Sequence, residues 1–224
     1  MPARRACGRF ITFEGIDGCG KSTQLRLLAR YLKRRRIPLL VTREPGGTAL
    51  GEAIRKIVLS RASADVDART ELLLLFAARA QNVAQLIRPA LARGCIVLCD
   101  RFTDASLAYQ GYGRGLDPRF IRRLHRFACQ GLKPDLTLVI DIAPRTSVAR
   151  ARRRNATARH DEGRFEQETR AFYERVRRGY RLLARQEPRR IKFIRGEDKI
   201  ERIHQHVLVR VQPLLAGIAR SPAS

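Results

Sequence analysis

The segment Gly15-Ile-Asp-Gly-Cys-Gly20-Lys21-Ser22 fits the pattern G-x-x-x-x-G-K-[ST]. That spacing serves one kind of chemistry. The glycines let backbone N–H groups point into one concavity, and a helix opening at the lysine adds positive potential there. A nucleoside triphosphate suits such a cradle. Lys21 would reach its β- and γ-phosphates, and Ser22 would ligate Mg2+. The context agrees with the pattern. An apolar strand over Arg9 to Phe13 precedes the loop, and a helical pattern with Leu25, Leu28 and Leu32 on one stripe follows it.

A phosphate cradle names no acceptor, which must be read from other loops. Thr42-Arg-Glu-Pro-Gly-Gly-Thr48 follows a second apolar run, and its Pro45 and glycines predict a tight loop with Arg43 turned toward a crevice. Asp100-Arg101-Phe102 follows a third. There an acid at a strand end could hold Mg2+ through water, and the adjacent arginine could grip a phosphate bidentately. Asp141 ends a fourth run; it is a weaker metal candidate, since capping a helix before Pro144 is the simpler expectation. Tyr109, in Ala108-Tyr-Gln-Gly-Tyr-Gly-Arg114, is either a wall of a sugar pocket or core. Arg79, in Phe76-Ala-Ala-Arg79 on a Leu-rich helix, needs a partner that a base edge would supply.

Several elements must position these groups. Phe10 to Phe13, Leu39 to Thr42, Ile96 to Cys99, Leu136 to Ile142 and Ile191 to Ile194 read as short strands buried on both faces. Helical patterns run over Lys21 to Arg36, Thr70 to Ala92, Glu166 to Gln186 and Asp198 to Leu215. Strands alternating with helices predict a doubly wound α/β fold with a five-stranded parallel sheet, whose ligands lie outside the carboxyl ends of the strands. The 224 residues suit a single domain over 1–224, with the polar, basic segment at about 150–165 as an insert or lid.

Composition narrows the class further. The net charge is +25, most of it from arginine. Nucleic-acid binding is the obvious reading of such a charge. The bases are not interleaved with aromatics, however, and tryptophan is absent, so polyanionic substrates or a compositional bias fit better. The five cysteines form no C-x-x-C pair. Cys95 and Cys99 would lie about 13 Å apart along a strand, too far for a disulfide. Reduced thiols, no apolar run of membrane-spanning length and no cleavable leader predict a cytoplasmic protein.

Seven segments resemble bacterial thymidylate kinases in order and spacing over about residues 8 to 215. They are Phe13-Glu-Gly-Ile-Asp-Gly-Cys-Gly-Lys-Ser-Thr23, Thr42-Arg-Glu-Pro-Gly-Gly-Thr48, Phe76-Ala-Ala-Arg-Ala-Gln81, Leu98-Cys-Asp-Arg-Phe102, Ala108-Tyr-Gln-Gly111, Pro134-Asp-Leu-Thr137 and Arg164-Phe-Glu166. The resemblance implies the nucleotide-kinase fold of phosphate-loop proteins and transfer of the γ-phosphate of ATP to dTMP. It implies that Gly15, Ile16, Asp17, Gly18, Cys19, Gly20, Lys21, Ser22 and Thr23 bind ATP, with Ser22 and Asp100 at Mg2+. Asp17 would also hydrogen-bond the 3′-hydroxyl of dTMP, Arg79 would meet the thymine edge and Arg101 would hold the dTMP phosphate. Tyr109 would crowd the 2′ position, and Arg43, Pro45, Ser106 and Gln110 would complete the acceptor site. Members are homodimers packed through long helices. Some carry a catalytic arginine in the phosphate loop, where this chain has Gly18. The resemblance therefore assigns that role to lid arginines, Arg164 or Arg159. The rival readings are a kinase for another nucleotide and an ATPase that binds nucleic acid.

Overall fold

The computed structural model describes residues 8–147, 150 and 164–216. Five strands form one parallel sheet: β1 (Arg9–Glu14), β2 (Leu39–Arg43), β3 (Ile96–Asp100), β4 (Leu136–Asp141) and β5 (Ile191–Arg195). Their order is β2-β3-β1-β4-β5. The interior strands are apolar because both faces are covered: Ile11, Phe13, Val97, Leu98, Leu138 and Ile140 are essentially inaccessible. Register brings the functional ends level. Phe13 pairs with Asp100 and with Leu138, and Asp100 also pairs with Arg43. The connection leaving β1 runs toward β2 and the one leaving β3 runs toward β4, so the strand order reverses between them. Open α/β sheets bind their ligands at that place.

Helix α1 (Lys21–Arg34) buries Leu25, Leu28 and Leu32 against the sheet, the stripe its sequence predicts. Helix α2 (Ala49–Leu59) is capped by Thr48, whose hydroxyl accepts the Gly51 N–H at 3.0 Å. The long helical stretch is in three parts: α3 (Ala68–Asn82), a π-helical turn (Val83–Ile87) and α4 (Arg88–Ala92), with Pro89 at the start of the last. After β3 come a single turn, α5 (Thr103–Ser106), a second π-helical segment (Leu107–Gly113) and α6 (Pro118–Ala128). Helices α7 (Arg170–Gln186) and α8 (Ile200–Leu215) flank β5.

The five strands lie where the apolar runs predict them. The expected helix over Glu166 to Gln186 begins only at Arg170, because Thr169 caps it and Arg164–Gln167 forms a separate 3-10 turn. Helices α2 and α6 were not anticipated. Among the described residues the Asp141 carboxylate makes no capping bond and takes Arg177 at 2.6 and 2.9 Å and Arg181 at 3.2 Å, all from α7. Cys19, Cys95, Cys99 and Cys129 are free thiols. No helix among the described residues is long and apolar enough to cross a membrane. Of the expected lid, Arg159 lies outside the described residues; Arg150 and Arg164 lie within them.

Candidate active site

The site is built on the ends of β1 and β3. Strand β1 stops at Glu14, and Gly15, Gly18 and Gly20 take positive φ values of 129°, 78° and 99°. A Cβ on Gly15 would stand 2.9 Å from the Cys19 sulfur, whereas one on Gly20 would meet nothing within 4 Å. Packing requires the first glycine and backbone conformation the last. Gly20 caps α1 without a side-chain bond, and the first turn of α1 holds no acid. The N–H groups there stay available to an anion. Ile16 and Cys19 are buried beneath the loop. Burial pushes the Cys19 thiol up, which keeps it neutral. Lys21 is almost fully buried, and its Nζ donates to Ile16 O at 3.2 Å. Ser22 Oγ donates to Asp100 Oδ2 at 2.7 Å, and Thr23 follows in the same turn. A hydroxyl and a carboxylate so close are oxygen donors of the kind that would hold a Mg2+ ion.

Arg101 is the centre of a second cluster. Its Nη1 donates to Gly15 O at 3.1 Å, and its Nη2 reaches Asp17 Oδ1 at 2.7 Å and the Tyr109 hydroxyl at 3.1 Å. The Tyr109 hydroxyl in turn donates to Asp17 Oδ2 at 3.2 Å. Burial works against the charge on Arg101, but Tyr109 and Asp17 outweigh it and hold the guanidinium firmly charged. Three groups that sequence placed in three separate segments therefore form one constellation, within reach of the phosphate loop.

Arg79 stands deeper. Its Nε pairs with buried Glu44, and its Nη2 donates to Ser106 Oγ at 2.9 Å and Phe102 O at 3.3 Å. The guanidinium lies over the Phe76 ring at 4.4 Å. Its Nη1 is buried with no hydrogen-bond partner among the described residues. A buried donor without an acceptor is costly, and a base carbonyl would remove that cost. Pro45 follows Glu44 in a cis peptide, with its carbonyl accepting Arg55 at 3.1 Å. Arg43, expected at the crevice, pairs with Glu52 of α2 at 2.7 Å.

Glu71 of α3 gathers the remaining groups. It is fully buried, and Gln110 Nε2 donates to it at 2.7 Å. Arg114 Nη2 donates at 3.1 Å, and Arg164 forms an ion pair with the same oxygen. Arg164 also donates to Ser63 O at 3.2 Å and is itself buried. The structure therefore places Arg164 beside α3. Sequence reasoning gave no role to Glu14, Glu44, Glu71 or Tyr180. Three of them are acids at or near the borders of apolar runs, and that was the available signal.

The comparisons with known proteins agree with one another. The family model described as thymidylate kinase matches residues 13–207. A thymidylate kinase of Desulfovibrio desulfuricans is 52% identical over 187 residues, covering 83% of this chain and 86% of that one. One of Pseudomonas putida is 47% identical over 211 residues, covering 94% and 96%. Among solved structures, thymidylate kinase from Ehrlichia chaffeensis superposes with a TM-score of 0.73 at 35% identity, covering 92% of this chain and 98% of that chain.

Proposed function

The chain belongs to the thymidylate kinase family and is an ATP-dependent phosphotransferase that converts dTMP to dTDP; we propose the following division of labour among its residues. Gly15 to Thr23 cradle the ATP phosphates, with Lys21 against the β- and γ-groups. Arg101 holds the dTMP phosphate, Asp17 takes the sugar 3′-hydroxyl, Tyr109 walls the 2′ side and Arg79 offers its unpartnered Nη1 to the thymine edge. Ser106 and Gln110 brace Arg79 and the π-helical segment, and Pro45 shapes the loop that carries Glu44. Mg2+, held by Ser22 and Asp100, would neutralise charge on the donor phosphates.

The observation that carries this reading is the Arg101 constellation. One guanidinium touches Gly15 O of the phosphate loop and Asp17 within it, so an acceptor phosphate held by Arg101 sits beside the donor cradle. Phosphoryl transfer needs little covalent help, and positioning with charge neutralisation supplies most of the rate. An acceptor phosphate oxygen attacks the γ-phosphorus, and ADP leaves. The developing charge needs a cation beyond Lys21, which Arg164 or Arg159 would supply. A single domain, a cytoplasmic location and a homodimer complete the proposal. The dimer is supported by Leu73 on α3 and by Phe120 and Phe127 on the neighbouring α6, all apolar and exposed.

A coupled ADP-release assay with dTMP, thymidine, dUMP, UMP and dCMP tests the acceptor assignment. Turnover should be greatest with dTMP and should need its phosphate. Equal rates with thymidine would remove Arg101 from the acceptor role, and faster dUMP turnover would reassign the base.

A further inference from the structure

We infer that Glu14 is a positioning residue for the acceptor. Its buried carboxylate fixes the backbone conformation from which Arg101 reaches the acceptor pocket. The inference rests on the reading that Arg101 grips the dTMP phosphate. Arg101 has a φ of 73°, in the left-handed region that residues with a side chain avoid. Such a residue persists only where its surroundings hold it. Two consecutive amides do so here. The N–H of Arg101 donates to Phe13 O at 3.0 Å, and the N–H of Phe102 donates to Glu14 Oε1 at 2.7 Å. Consecutive residues of β1 thus clamp consecutive residues of the turn, one through main chain and one through side chain. The first bond comes with strand pairing, but the second needs an acceptor side chain at position 14.

The clamp is itself anchored. Glu14 Oε2 accepts the Tyr180 hydroxyl of α7 at 2.7 Å, which keeps the carboxylate from rotating away. Downstream, Phe102 is fully buried and edge-on to Phe10 at 4.9 Å, so the turn has no room to relax. The place is hostile to a carboxylate. Burial, with Asp104 adding repulsion against the opposing pull of Arg101, pushes Glu14 up to about 7. Filling volume alone would be met by an apolar side chain at less cost. A costly buried acid bonded to the residue after the acceptor arginine is the signature of placement.

The test is a double-mutant cycle of Glu14→Met and Arg101→Ala, with Glu14→Gln beside it, read as kcat, KM for each substrate and Tm. Glu14→Met should raise KM for dTMP about tenfold or more, the size of a lost hydrogen bond to a charged acceptor. It should leave KM for ATP within about twofold, with a lower Tm because the Phe102 N–H and the Tyr180 hydroxyl lose their buried acceptor. Glu14→Gln, whose amide oxygen still accepts from Phe102, should restore most of the dTMP affinity. On Arg101→Ala, adding Glu14→Met should change KM for dTMP no further, because both act through one guanidinium. A folded Glu14→Met protein with wild-type KM for dTMP, an equal rise for ATP, or additive effects in the cycle would each overturn the inference. Should Glu14→Met not fold, Tyr180→Phe replaces it: freeing Oε2 should raise KM for dTMP severalfold, and no rise sinks the idea. If Arg101→Ala affects ATP as much as dTMP, the reading of Arg101 fails and takes this inference with it. If Arg101→Ala is selective and Glu14→Met is silent, the inference alone fails.

Discussion

At the scale of single residues, the buried acids decide more than the exposed bases. Glu14 titrates at about 7 in the folded chain against 4.5 as a free carboxyl. Between those values the native state binds the extra proton, so stability falls as pH rises from about 4.5 to 7 and is level above. The span corresponds to about 3 kcal/mol at 1.36 kcal/mol per unit. Glu14→Gln should remove that slope. Urea unfolding at pH 5 and pH 8 checks it, and a variant that keeps the wild-type difference would assign the slope to another group. Arg164 poses a different question, because its ion pair with Glu71 and its proposed catalytic role predict different losses. If it meets the phosphates in the transition state, Arg164→Ala lowers kcat and kcat/KM together, by about a hundredfold, with KM for dTMP nearly unchanged. If it only partners Glu71, Tm falls and kcat holds. Glu71 would still keep Arg114 and Gln110, so the protein should fold in either case.

Among the elements, the π-helical segment Leu107–Gly113 carries Tyr109 and Gln110, and α7 fixes it by close approach. A Cβ on Gly179 would stand 2.7 Å from the Tyr112 ring, and one on Gly113 would stand 2.7 Å from Phe172. Gly179→Ala gains about 1 kcal/mol in helix propensity, yet overpacking costs about 1–3 kcal/mol. We expect a lower Tm and a raised KM for dTMP, because the ring pushed aside belongs to the segment that seats Tyr109. A higher Tm with unchanged KM would show that the contact is slack. The strands were legible in the sequence because parallel strands covered on both faces are mostly apolar, as in Leu138 to Ile140. Helices α2 and α6 were overlooked although their starts were written plainly, Thr48 for one and Asp117-Pro118 for the other. The phosphate loop was legible because its chemistry is local. Glu14, Glu44 and Glu71 were not, because their partners lie far along the chain: Tyr180 for the first, Arg79 for the second, Arg114 and Arg164 for the third.

Across the whole molecule, the net charge of +25 sits on a surface that also exposes Phe127 at 84%. So large an exposed ring, seven residues along α6 from the exposed Phe120, fits an interface between two copies better than a solvated face. Phe127→Asp should convert a dimer into a species of about one chain, 25.5 kDa, by light scattering. A wild-type protein already of that mass would remove the homodimer from the proposal. A field of that sign would raise the local concentration of polyanionic substrates.

The strand order also governs how the chain comes into being. Strand β1 emerges first from the ribosome, yet both its neighbours arrive late: Arg9 pairs with Ile96, and Ile11 with Leu136. The phosphate loop is thus synthesised long before Asp100 and Arg101 exist to complete the cleft. Pairings so distant in sequence close slowly, and the apolar face of β1 must wait uncovered while they form. Nucleotide can stabilise only the finished fold, so ATP should speed neither co-translational folding nor release of the nascent N-terminal half from chaperones.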